Sequence, residues 1–349
     1  SDLLPFGEIK IPDDVLKEKL RANTPGITRT TLLAIHAVDE AMNDSGISGD
    51  ELQQYDTALI IGNTVGGMCV TDELYRDANQ NQVGSSYLSS YDLGSVAIYI
   101  QKRYGINGVV NTINTACSSS ANAIMYGARL IKSGRAKRAI VGGVDSLAKF
   151  TINGFNSLNI LSASPCRPFD AERSGLNLGE GAAFLVIERE EDAKGKKVYA
   201  ELSGYANTND AFHPSSLSDN GDGPYLAMKQ ALEVAKLEPE QIGFIHAHGT
   251  GTENNDEAES KAFLRLFKNP PPFASVKSNI GHTLGAAGAF GALYGLLNLE
   301  YQEVYPSLNF TNPIASTGLS PVQEYKPLKL EHVMANSFGF GGNCSSLVF

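Results

Sequence analysis

Four short segments hold the side chains that could do chemistry. In the first, Asn114-Thr-Ala-Cys117-Ser-Ser-Ser120, a cysteine sits where a strand predicted over 109–115 gives way to a helix predicted over 118–133. A cysteine at a helix start faces the positive end of the dipole and unpaired N–H groups, and both favour the thiolate. The sharp turn would expose the sulfur and aim its own amide at a developing oxyanion, the logic of a nucleophile elbow with sulfur in place of oxygen. The competing reading is a buried structural cysteine capped by serines. The second segment, His246-Ala-His248-Gly-Thr-Gly-Thr252, ends a predicted strand in a glycine turn. Its two histidines share one strand face, as a metal pair might. No third ligand has a sensible spacing, so no metal is expected; one ring should point into a site and the other pack.

The third segment is Lys277-Ser-Asn-Ile-Gly-His282, followed by Thr-Leu-Gly-Ala-Ala-Gly288. His282 opens a Gly/Ala-rich predicted helix, where the dipole disfavours imidazolium and a neutral ring can donate to an oxyanion or enolate. A backbone-bonded, structural histidine is the alternative. Lys277 in apolar surroundings needs a counter-ion, for which Asp256 is the candidate. The fourth segment, Asn336-Ser-Phe-Gly-Phe-Gly-Gly-Asn343, invites a phosphate-loop reading, but a strand follows it and no helix supplies the anion site. Close backbone approach to a ligand, with the Phe340 amide turned inward, is the better use of those glycines. One nucleophile, two histidines and an amide-presenting turn together fit acyl transfer through a thioester.

The elements that must position these groups follow from periodicity. Helical spacing appears over 30–43, 118–133, 226–235, 257–267 and 284–300. Short apolar runs predict strands over 58–62, 109–115, 139–144, 181–188, 198–204, 243–247 and 273–276, and a terminal strand follows the last glycine turn. Alternation of the two types means α/β. Gly285, Gly288 and Gly291, at i, i+3 and i+6, would let another backbone pack close. The charged turn near Lys197 is the best seam, giving halves at 1–196 and 197–349. A length of 349 residues fits two domains or one two-lobed unit. With 42% hydrophobic and 19% charged residues the chain is not disordered. A net charge of −10 disfavours a general nucleic-acid binder. No apolar run of membrane-spanning length and no signal peptide are visible. Cys69, Cys117, Cys166 and Cys344 form no CxxC pair, so a reduced, cytoplasmic protein is expected.

Taken in order, TACSSS, HGTGT, KSNIGH-x-x-GAAG and NSFGFGG resemble the β-ketoacyl-acyl-carrier-protein synthases of the thiolase-like superfamily, in their Cys-His-His branch. Arg167-Pro-Phe-Asp170 with Gly179-Glu-Gly181 adds a fifth match, and the likeness runs over nearly the whole chain. It implies two packed α/β halves with mixed five-stranded sheets in an αβαβα stack. It implies decarboxylative condensation of an acyl-carrier thioester with malonyl-carrier protein, in fatty-acid, polyketide or polyene synthesis, with no metal or organic cofactor beyond the carrier's phosphopantetheine. By position, Cys117 resembles the acylated nucleophile, and His248 and His282 the pair that promotes decarboxylation. Lys277 resembles the lysine that tunes the second histidine, with Asp256 and Glu259 the acids beside it. Thr250 and Thr252 match the threonines that bond the pantetheine arm. The amides of Cys117 and Phe340 match the oxyanion hole and the Phe340 ring the acyl gate, while Val65, Met68 and Phe155 fall near acyl-pocket positions.

The same resemblance implies an acyl carrier protein as partner, and a homodimer or a heterodimer. Because carriers are acidic, it calls for a local basic patch, with Arg21 and Arg29 as candidates. The cluster of Lys132, Arg135, Lys137 and Arg138 reads instead as a solvated helix end. Three features depart from the family pattern: no opening strand precedes Asp2, Asn343-Cys344 replaces Thr-Asn, and Gly291 stands where fatty-acid members carry Glu. Rival readings are a decarboxylating, chain-length-factor-like partner subunit, a thiolase using Cys344 as its second cysteine, and a non-catalytic binding module.

Overall fold

The computed structural model describes residues 4–81 and 83–349. Strand β1 (Thr57–Gly62) is buried along its whole length, as an apolar run covered on both faces must be. It pairs in parallel with β2 (Val110–Ile113) on one side and β3 (Arg138–Asp145) on the other. Antiparallel β4 (Gly181–Glu188) completes a sheet of order β2-β1-β3-β4. The second sheet has the order β5-β11-β10-β6-β7, built from β5 (Gly204–Asn209), β6 (Phe244–His246), β7 (Phe273–Ala274), β10 (Val333–Gly339) and β11 (Asn343–Val348). A small ladder, β8 (Glu303–Val304) with β9 (Lys326–Pro327), stands apart.

Side-chain alternation distributes the core into layers. Leu59 and Ile61 of β1 face Leu32, Ile35 and Val38 of the helix Arg29–Ser45 on the outer side. Ala58 and Ile60 face inward, against Ala121 and Ile124 of the elbow helix (Ser119–Lys132) and Ala289 and Ala292 of the glycine helix (Ala287–Tyr301). That central layer also takes Ala335 and Leu347 from the second sheet. The other faces of β10 and β11, Met334 and Val348, meet the helices Asp222–Ala235 and Glu253–Leu266. The stack is therefore αβαβα, with the elbow and glycine helices sandwiched between the sheets.

Two expectations need correction. The first sheet has four strands among the described residues, not five, and among them the outer edge of β4 has no ladder partner. The strand predicted over 198–204 lies at 204–209 instead. Ala200 and Leu202 do pack on the central core, but the first backbone bond to β11 is from the Ser203 amide to Val348 O, and the ladder register starts at Gly204. Sequence patterning also missed the helix Lys149–Ser157. No described helix is long and apolar enough to cross a membrane.

The glycine series does let backbones approach. A Cβ on Gly288 would lie 2.7 Å from the Ala121 amide nitrogen and 3.0 Å from Ser337 Oγ. Gly288→Val should therefore wedge the glycine helix off the elbow helix and destabilise the fold by about 1–3 kcal/mol. Thermal unfolding checks this, and an unchanged midpoint would show that the crossing has slack.

Candidate active site

The elbow is a true kink. Ala116 adopts a left-handed backbone, φ 51°, a conformation that is rare for a residue with a side chain. It is held by Ser119, whose hydroxyl donates to Ala116 O at 2.5 Å and accepts from the Thr115 amide at 2.9 Å. Cys117 is thereby presented two residues before the helix, with the amides of Phe340 and of Cys117 itself directed at its sulfur. The expectation of a resting thiolate is not met. Burial pushes the thiol up to about 11, outweighing the attraction of Lys277 and the two amides. The side chain is 6% exposed, and removing an ion from water costs more than dipoles at a helix start return.

His248 and His282 meet edge to face, with ring centroids 5.6 Å apart. One ligand-type atom from each, together with Cys117 Sγ, lies within 4.8 Å of the others. Burial first, and then the nearby Lys277 charge, holds both imidazoles well below their ordinary range, so both are neutral. His282 Nδ1 accepts the Leu284 amide proton at 3.0 Å, so the ring proton resides on Nε2. Lys277 Nζ lies 3.4 Å from His248 Nδ1 and bonds to His248 O, which sets the same tautomer there. Metal-binding imidazoles are oriented the opposite way, donating their outer N–H to an acceptor. This trio presents two protonated Nε2 atoms and suits an oxyanion better than a cation.

Lys277 makes no ion pair within 4 Å among the described residues, and it abuts His248, not His282. Burial lowers its basicity, opposed by the charge of Glu259. The proposed counter-ion Asp256 is spent elsewhere, on the amides of Phe169, Thr250 and Gly251. Glu259 takes the amides of His248 and Gly249, each at 2.8 Å, and burial pushes it up to about 7. The two acids thus cradle the turn formed by Gly249 and Gly251, both at positive φ. Thr250 and Thr252 line the cavity beyond, their hydroxyls 2.8 Å apart. His282 precedes the glycine helix by five residues, fixed by its amide to Asn177 O.

A cavity of about 470 Å³ runs from the buried Cys117, His248, His282 and Phe338 to the exposed Leu158, Asn159 and Glu253. Phe340, 36% exposed, stacks on Phe155 of the helix Lys149–Ser157 at 5.8 Å. Both rings line the cavity; Val65 and Met68 do not, and pack beneath Phe155 with Leu176 and Leu284. Sequence reasoning missed Asp145, whose carboxylate accepts from Thr64 Oγ1 and from the amides of Thr64, Val65 and Gly285. It ties the turn after β1 to the loop after His282, and burial pushes it up to about 6. An acid closing the apolar run of β3 was the available signal.

Other candidates fall outside the site. His246 packs on Tyr294, with neither ring nitrogen hydrogen-bonded and its basicity pushed down to about 3 by burial. Cys344, the second sulfur a thiolase would need, is fully buried against Gly223. Arg29 is committed to Glu180 and Asp13 and cannot serve a basic patch. Arg138 is likewise buried, between Glu51 and Glu188. Among the described residues the one Asp, Glu, Lys or Arg lining the cavity is Glu253, so the lining described there is not basic.

A neutral resting thiol sets a pH signature. Carboxamidomethylation of Cys117 should climb about tenfold per pH unit up to about pH 10, since only the thiolate reacts. Peptide mass spectrometry reads the rate, and a plateau below about pH 8 would mean that the sulfur rests ionised.

The family model of the β-ketoacyl synthase N-terminal domain matches residues 12–193, and that of its C-terminal domain matches residues 199–311. The 3-oxoacyl-[acyl-carrier-protein] synthase 2 of Vibrio cholerae is 34% identical over 328 residues, 89% of this chain and 79% of that protein. Among solved structures, the ishigamide ketosynthase/chain length factor matches with a TM-score of 0.88 at 31% identity, over 93% of this chain and 82% of that one. The ketosynthase ApeO in complex with its chain length factor ApeC, from Xenorhabdus doucetiae, matches with a TM-score of 0.84 at 32% identity, over 99% and 86%. A cysteine elbow facing two neutral imidazoles, in a chain matched by both domain models, makes this protein a member of the β-ketoacyl synthase family.

Proposed function

We propose that the chain condenses an acyl-carrier thioester with a malonyl-carrier thioester, and that Cys117, His248 and His282 carry the chemistry. The observation that supports this most directly is the convergence of one thiol and two Nε2–H donors at the closed end of a cavity. In the first half-reaction Cys117 sulfur attacks the acyl thioester carbonyl, with the amides of Cys117 and Phe340 holding the oxyanion. The carrier's thiolate leaves and takes up the proton that Cys117 gave, so thiol and thioester exchange without net charge. A malonyl thioester then binds with its carbonyl oxygen between the two Nε2–H groups. Its C–C bond breaks, CO₂ departs, and the electron pair becomes an enolate on that oxygen. The enolate carbon attacks the acyl-Cys117 carbonyl, the β-keto product forms, and the sulfur leaves as thiolate. With its affinity pushed up to about 11, it takes one proton from solvent through the cavity and resets as thiol. Neutral histidines matter because imidazolium beside Lys277 would be repelled and would surrender its proton to the enolate outright.

In this reading Thr250 and Thr252, which line the cavity, bond the phosphopantetheine arm, and the Phe340–Phe155 stack parts for the acyl chain; the hydroxyl pair and the stacked rings support those roles. No metal or organic cofactor enters this scheme. An acyl carrier protein is the partner, in the cytoplasm. We read the chain as working in a dimer, with a second copy or with a chain-length-factor-like subunit. The structural relatives described as ketosynthase with chain length factor support the latter.

Intact-mass measurement with a panel of acyl-carrier thioesters tests the first half-reaction. Wild-type protein should gain one acyl mass and Cys117→Ala none. For the second half, a Cys117→Gln protein should release CO₂ from malonyl-carrier, and adding His282→Ala should slow that release about 100–1,000-fold. Undiminished release would remove His282 from the mechanism.

A further inference from the structure

We infer that Asn343 is the positioning residue that joins the two amides of the oxyanion site, a role that rests on the condensing reading above. Asn343 opens β11 and pairs with Gly339 across the hairpin whose tip carries the Phe340 amide. Its Oδ1 lies 2.7 Å from Ser118 Oγ, 2.9 Å from Asn122 Nδ2 and 2.7 Å from Asn207 Nδ2. Ser118 directly follows the nucleophile, and Asn122 sits one turn further along the elbow helix. One oxygen of the hairpin therefore gathers donors from the elbow and from β5.

The network closes on itself. The other amide proton of Asn122 goes to Thr115 Oγ1 at 2.8 Å, and Asn122 Oδ1 accepts from Ser345 Oγ at 2.8 Å. The single Ser118 hydroxyl proton is within reach of Thr115 O, Thr115 Oγ1 and Asn343 Oδ1. An atom ringed by three donors must be an acceptor without a proton of its own, which an amide oxygen is and a hydroxyl is not. This gives a function to the position where the family pattern has threonine.

The hairpin needs such a tether. At Gly339 it presses on the elbow so closely that a Cβ would lie 2.5 Å from Thr115 O and 3.2 Å from the Cys117 amide nitrogen. No backbone hydrogen bond joins residues 339–343 to residues 114–119 among the described residues. Backbone bonds hold the tip to the 210–214 loop, Gly341 N to Pro214 O and Asp210 N to Gly342 O at 2.7 Å each, and the side chain of Asn343 is what ties it to the elbow and sets the distance between the Phe340 and Cys117 amides. A misplacement of about 1 Å in such a pair can slow the reaction about 100-fold.

Acylation and alkylation separate this role from a merely structural one, because alkylation of a thiolate develops no oxyanion. In Asn343→Ala, acylation of Cys117 from an acyl-carrier thioester should slow about 10–100-fold at saturating substrate, with KM within about threefold. Iodoacetamide alkylation at about pH 10 should stay within about threefold of wild type. Asn343→Asp, which keeps acceptor oxygens at the same reach, should recover at least about tenfold of the loss. If the alanine variant does not fold, Asn122→Ala removes one donor and should give a smaller loss of acylation alone, about threefold to tenfold. Unchanged acylation, or acylation and alkylation falling in parallel, overturns the inference. A wild-type chain that accepts no acyl group overturns the condensing reading itself, and this role with it.

Discussion

Burial of the meeting point of Cys117, His248 and His282 is the constraint to which the rest of the structure answers. In water an imidazole would titrate near neutrality and a thiol would ionise in mild base. Buried at the closed end of the cavity, both rings are held neutral and the sulfur keeps its proton. A dry site strengthens every dipole aimed into it, and it is the reason neutral N–H donors can stabilise an enolate. Lys277 reinforces the arrangement: buried beside His248, it adds a positive potential that keeps a proton off either ring and leans toward an anion at the centre.

The acids near the site are spent on backbone, not on charge pairing. Asp256 and Glu259 gather five amides of the 169 and 248–251 turns, and Asp145 holds the loops after β1 and after His282. Turns with left-handed residues leave N–H groups that a ladder would otherwise satisfy. Buried carboxylates accept several at once, and in doing so make those turns rigid enough to aim an imidazole. The raised affinities of Asp145 and Glu259 follow from the same burial. For such acids the folded state binds protons more tightly than the unfolded chain. Their contribution to stability is therefore full below the unfolded carboxylate range and is lost as pH rises through about 6 and about 7. Rigidity at the site is kept at that expense near neutral pH.

The reactive centre belongs to neither half alone. Cys117 comes from the first sheet's elbow, the two histidines and the Phe340 amide from the second sheet's connections. Close packing of the elbow and glycine helices brings them together, and glycines at 285, 288 and 339 are the positions where a side chain would hold the halves apart. Asn343 then adds a polar tie across the same seam.

Much of this was legible in the residues. Cys117 between a strand and a helix, His248 before a glycine turn, and the Gly285, Gly288 and Gly291 spacing each carry a local signature, because turn chemistry and periodicity act over a few residues. What tertiary structure alone decided is which groups face one another and how dry they are. Local reasoning gave Cys117 a thiolate from the helix dipole, and long-range burial reversed it. It offered Asp256 as the counter-ion that a lysine in apolar surroundings needs, whereas the fold sends Asp256 to backbone amides and Lys277 to His248. It left Asn343 without a role, since its three donors lie 221, 225 and 136 residues away along the chain. Segment chemistry is set by neighbours in sequence, while ionisation and hydrogen-bond partnership are set by neighbours in space.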